Sequence, residues 1–179
     1  LRLKTARVVD NLYAAMNTIT QRTEVPKCSG IISLDLSKML DGDVAGFSAF
    51  NGHSGTLSVS KEGDKKYIVM SDDVVNFDEE DPENRKRISS VDSDEKERVE
   101  LNQDTVYLRI NCDFTDKKEQ ASFYYSLDNK EWKKIGTDFR MRFDYRRFFM
   151  GTKFAIFNYA TKSLGGYVDV DYFDYKRTN

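Results

Sequence analysis

The chain of 179 residues carries 28 Lys plus Arg against 30 Asp plus Glu, a net charge of −2. That length fills one domain with a single core. The near-even charge argues against nucleic acid or an anionic membrane as the main partner, since both need clustered positive charge. No apolar run reaches the roughly eighteen residues that span a bilayer. An aromatic content of 13% favours a packed β protein or an aromatic binding surface over disorder.

In chain order, Leu1-Arg2-Leu3-Lys4 already alternates as a strand does, and the start on Leu rather than Met points to a longer natural chain. Asp10 to Met16 is the nearest approach to helical spacing and predicts a loop with at most one helical turn. Ile32, Leu34 and Leu36 alternate with Ser33, Asp35 and Ser37; Val44 to Phe50 follows; Leu57 and Val59 alternate with Thr56, Ser58 and Ser60. The clearest strand runs from Thr105 to Phe114, with Val106, Leu108, Ile110, Cys112 and Phe114 on one face. Ser122–Tyr125 and Glu131–Ile135 flank Ser126-Leu127-Asp128-Asn129-Lys130 as a hairpin, and Phe154–Tyr159 and Gly166–Tyr175 close the set. Period-2 patterning with Asp-Gly and Asn-Gly turns predicts an all-β, two-sheet antiparallel β-sandwich of jelly-roll type.

The stretch 72–98 breaks this pattern. It is dense in charge, holds Pro82, and is expected to be a solvated insertion between two strands within a single domain spanning 1–179. Cys28 and Cys112 have no metal-like spacing, and Cys112 falls on an apolar strand face, where a buried reduced thiol is expected. The one histidine, His53, reads as a surface turn residue.

Catalytic constellations are missing. A lectin-like glycosidase of the Glu-x-Asp-x-x-Glu type sets its carboxylates on one face of a strand. The nearest match, Glu79-Glu80-Asp81-Pro82-Glu83-Asn84, fails at its last position and contains a proline a central strand would reject. Phosphate-loop, dinucleotide and EF-hand patterns are absent, so no catalytic residue is expected in the chain. Asp169 and Asp171, two apart on a strand, share one face about 7 Å apart. Such a pair is either solvated or held by a cation.

Several segments, in order, resemble one family. They are Leu1-Arg2-Leu3-Lys4-Thr5, Asn17-Thr18-Ile19-Thr20-Gln21-Arg22-Thr23, Gly42-Asp43-Val44-Ala45-Gly46-Phe47, Phe123-Tyr124-Tyr125-Ser126-Leu127-Asp128, Phe149-Met150-Gly151 and Gly166-Tyr167-Val168-Asp169-Val170-Asp171-Tyr172-Phe173. Together they resemble the C-terminal concanavalin-A-like β-sandwich of glycoside hydrolase family 43, of the β-xylosidase and α-L-arabinofuranosidase type, with 72–98 as the main departure. The resemblance implies a catalytic propeller upstream that holds the acid, the base and a pKa-modulating carboxylate. It also implies a sandwich that begins a strand or two before Leu1.

The expected function is therefore an accessory domain of a family 43 enzyme acting on xylan- or arabinan-derived oligosaccharides. Its role would be to shape the substrate pocket of the propeller. Resemblance places Phe149, at the tip of Arg146-Arg147-Phe148-Phe149-Met150-Gly151, at the lip of that pocket. Adjacent side chains of an extended segment point apart, so one of Phe148 and Phe149 can anchor while the other projects. Related sandwiches also bind a structural calcium through an Asp before an aromatic pair, which marks Asp171 ahead of Asp169. The alternative is a carbohydrate-binding module stacking sugars on Tyr107, Tyr124 or Trp132.

Overall fold

A computed structural model describes residues 1–78 and 87–178; the glycosidase-like stretch Glu79–Asn84 lies outside them. Among the described residues thirteen strands form two antiparallel sheets. One runs β1 (Arg2–Lys4), β13 (Tyr167–Thr178), β3 (Lys27–Asp35), β8 (Thr105–Asp113), β9 (Gln120–Ser126) and β10 (Lys133–Lys134), with β11 (Phe139–Arg140) also on β9. The other runs β2 (Ile19–Arg22), β12 (Lys153–Ala160), β4 (Asp43–Phe50), β5 (His53–Glu62), β6 (Lys65–Phe77) and β7 (Ile88–Leu101). The expected sandwich is what the chain builds. Its helical content among the described residues is two short 3-10 turns, Leu12–Ala14 and Thr115–Lys117, and no helix is long and apolar enough to cross a membrane.

Alternation explains the layers. Val106, Leu108, Ile110 and Cys112 of β8 are buried while Tyr107, Arg109 and Asn111 are only partly covered. Ile32 and Leu34, Phe47, Leu57, Met70, Phe123 and Phe154 meet them from the neighbouring strands and the facing sheet. Each such side chain contributes about 1.5–3 kcal/mol of burial. Cys28 and Cys112 face each other in register across β3 and β8 as buried free thiols. The β9–β10 hairpin forms where expected because Asp128 Oδ1 accepts from the backbone N–H groups of Lys130 and Glu131, both at 2.9 Å.

The stretch 72–98 departs from expectation. Its described residues are the second half of β6 and most of β7, paired from Lys66↔Leu101 to Phe77↔Ile88. β7 is the outermost strand of its sheet, and most of its side chains are exposed. Apolar alternation is therefore nearly absent. Cross-strand ion pairs take its place: Arg98 with Glu62 at 2.6 Å, Lys65 with Glu100 at 3.2 Å and Lys96 with Asp72 at 3.7 Å. His53 likewise opens β5 rather than sitting in a turn. It packs edge-on against Phe139 at 4.8 Å between centroids, and burial lowers its pKa.

Candidate functional site

The segment 141–152 joins β11 to β12 and lies against one end of the β5–β6 pair. Three hydrogen bonds fix its base. Arg147 Nε donates to Val75 O at 2.9 Å, Asn51 Nδ2 donates to Met150 O at 3.0 Å, and Thr23 Oγ1 donates to Thr152 O at 2.7 Å. Asp144 takes ion pairs from Arg146 and Arg147, which hold its carboxyl below the usual range. Gly52 lets the segment approach this closely, since a Cβ there would stand 2.4 Å from Arg147 Cβ.

On this base the two phenylalanines part. Phe148 turns inward, with its ring 5.9 Å from Tyr13, 6.3 Å from Phe50 and 6.2 Å from Phe77. Phe149 turns outward and is 87% exposed, edge-on to Phe143 at 5.8 Å. Phe143 and Tyr145 are themselves 60% and 69% exposed. Sequence reasoning missed both. Three large aromatic rings on one anchored loop form the kind of exposed apolar patch that marks an interaction surface. Beneath them His53, Val74 and the stretch 142–147 line a cleft of about 480 Å³.

The carboxylates proposed for calcium lie elsewhere. Asp169 is held by Arg2 through two hydrogen bonds of 2.9 and 2.8 Å, which lower its pKa. Asp171 is the extra residue of a bulge between Val170 and Tyr172, and its Oδ2 accepts from Ser33 Oγ at 3.3 Å. Among the described residues no group of three or more His, Cys, Asp or Glu side chains is gathered to hold a metal ion. Among the described residues, Asp169 is thus paired with Arg2, and Asp171 has Ser33 as its hydrogen-bond partner, with no such group gathered beside it for a cation.

Tyr124 and Trp132 are occupied in another way. The Arg109 guanidinium stands over both rings, 4.5 and 4.4 Å from their centroids, while its Nε is buried without a hydrogen-bond partner among the described residues. Tyr107 leans on Tyr172 at 6.4 Å. One face of Tyr124 and one of Trp132 are thus covered by a cation instead of being open to a sugar.

The architecture is that of a concanavalin-A-like sandwich, with its three most exposed aromatics among the described residues collected on one end loop. Residues 1–176 match the family described as the β-xylosidase C-terminal concanavalin-A-like domain, and the chain belongs to that family. A bifunctional GH43-CE protein of Bacteroides eggerthii is 41% identical, with a TM-score of 0.85 over 99% of this chain and 21% of that one. A GH43 glycoside hydrolase engineered to display both endo-xylanase and exo-arabinofuranosidase activity is 34% identical. Its TM-score is 0.86 over 99% of this chain and 34% of that one. A β-xylosidase of Formosa agariphila is 25% identical over 167 residues, which is 92% of this chain and 24% of that protein. The chain spans between about a fifth and a third of these relatives.

Proposed function

We propose that the chain works beside the catalytic domain of a family 43 enzyme on xylo- or arabino-oligosaccharides, and that Phe149 supplies one apolar wall of the substrate pocket. The observation that carries this reading is the division of Phe148 and Phe149. One ring is locked into an aromatic cluster and the other projects almost entirely into solvent from a loop pinned at both ends. A ring so exposed adds little to this domain's own core, and its placement suits contact with another domain or a substrate. The named activities of the relatives supply the substrate class. Calcium has no part in this reading.

The test is Phe149→Ala in the whole enzyme that contains this chain. With an aryl β-xyloside or aryl arabinofuranoside, kcat/KM should fall by the equivalent of about 1–3 kcal/mol, with the melting temperature unchanged. Unaltered kinetics with a melting point lowered by many degrees would make Phe149 a packing residue instead.

A further inference from the structure

We infer that the outward face of the β4–β5–β6 sheet is a binding groove for a neutral oligosaccharide chain. Side chains on this face are small at the centre and large at the sides. Register places Gly46 beside Ser58, Ser58 beside Val69 and Val69 beside Arg98, with Phe157 on the far side of Gly46. The next row runs through Ser48, Thr56 and Ser71 to Glu95. From β12 to β7 the floor crosses five strands, about 19 Å at the usual strand spacing.

Walls rise on both sides. On one, the 3-10 turn at Leu12–Ala14 brings Tyr13 over the sheet, its hydroxyl donating to Asn51 O at 2.8 Å, and Tyr159 stacks on Phe157 at 6.0 Å. On the other, Arg98 is fixed by Glu95 and Glu62 and lies over the Tyr67 ring at 4.9 Å. The open volume between the walls is about 180 Å³, room for roughly six waters at about 30 Å³ each.

The polar groups facing this space are not exhausted by the protein. Ser71 and Ser93 both donate to Asp73 Oδ1, at 3.1 and 2.6 Å, which leaves Oδ2 as a free acceptor among the described residues. Among the described residues neither the Ser58 hydroxyl nor the Tyr159 hydroxyl has a hydrogen-bond partner, although Ser58 is only 7% exposed. A half-buried carboxylate oxygen and two hydroxyls beside aromatic rings suit a ligand that offers hydroxyl donors, hydroxyl acceptors and C–H faces together. Asp10, Glu62, Asp73 and Glu95 outnumber Arg98 along the lining. The groove therefore disfavours uronic-acid chains and other polyanions.

This goes beyond the pocket reading, and the two fail separately. The groove is tested by binding to the chain itself, whereas the pocket is tested by turnover in the whole enzyme. Calorimetric titration of the chain with xylohexaose should show saturable binding, and a polygalacturonate oligomer should show none. Tyr159→Phe removes one hydroxyl and should weaken xylohexaose about fivefold, with the melting temperature held. Ser58→Trp fills the floor and should abolish binding. Absence of xylohexaose binding, its persistence in Ser58→Trp, or preferential binding of hexalysine or of the polyuronate would each overturn the inference.

Discussion

The outward faces of the two sheets solve the same problem in opposite ways. On the β3–β8–β9 face, long side chains close on one another. Arg109 stands over Tyr124 and Trp132, Arg2 over Tyr167 at 4.1 Å and against Asp169, and Lys27 reaches Asp113 at 3.4 Å. On the β4–β5–β6 face, serines, a threonine and a glycine line the centre, and segments from elsewhere stand around it. A surface of large, mutually paired groups leaves little volume and, the Arg109 Nε aside, little free hydrogen-bonding capacity. A surface of small hydroxylated groups between tall walls leaves both. Binding capacity on a sandwich is thus decided by side-chain size at the centre of a face as much as by aromatic content.

Substitutions on each face sharpen that contrast. The largest effect is expected at Gly46, where a Cβ would stand 2.4 Å from Leu57 O and 2.6 Å from Ser58 Cα, both backbone atoms that cannot swing away. Gly46→Ala should destabilise the chain by about 1–3 kcal/mol in thermal or urea denaturation. A neutral result would mean that β4 and β5 separate freely and that the floor is not rigid. On the other face, Arg109→Ala should cost about 1 kcal/mol, in the range of a partly desolvated cation over aromatic rings. An unchanged denaturation midpoint would show that the Arg109 cluster contributes nothing to that face.

The smallest effect concerns pH. Burial pushes the Tyr159 phenol above its ordinary pKa, with Asp73 and Asp10 adding to the shift. The folded state therefore favours the protonated ring. Its contribution is constant below the unfolded tyrosine value of about 10 and declines as the pH rises past it toward the higher folded value. Tyr159→Phe should accordingly flatten the alkaline loss of stability relative to wild type. Parallel curves above pH 10 would remove Tyr159 from its buried position.

What could be read in advance followed burial. β8 alternates with one face in the core, so its pattern from Val106 to Cys112 survives in the sequence as a clean period of two. β7 has most of its side chains in water, so charge replaced hydrophobicity and the strand looked like a loop. The register of Cys28 against Cys112, and of Ser58 against Gly46 and Val69, depends on which strands become neighbours. Local patterning does not encode that choice. For the loop, adjacency of Phe148 and Phe149 required that the two rings diverge, but the exposure of Phe143 and Tyr145 depends on how 141–152 lies on Gly52 and Val75. Asp169 and Asp171 were legible as an outward pair. The Arg2 that claims Asp169 sits 167 residues away in sequence.

The polarity that hid β7 has a consequence for how copies of this molecule meet. A fourteen-residue outermost strand offers a row of unpaired backbone donors and acceptors, which is a template on which another chain could add its own strand. Here that template carries Asp92, Asp94, Glu95, Glu97 and Glu100 against only Lys96 and Arg98. A second copy approaching edge to edge would set one net-negative ribbon against another, and each long side chain would lose water on the way in. Charge repulsion and the desolvation of those side chains therefore work against growth of the sheet by strand addition at β7.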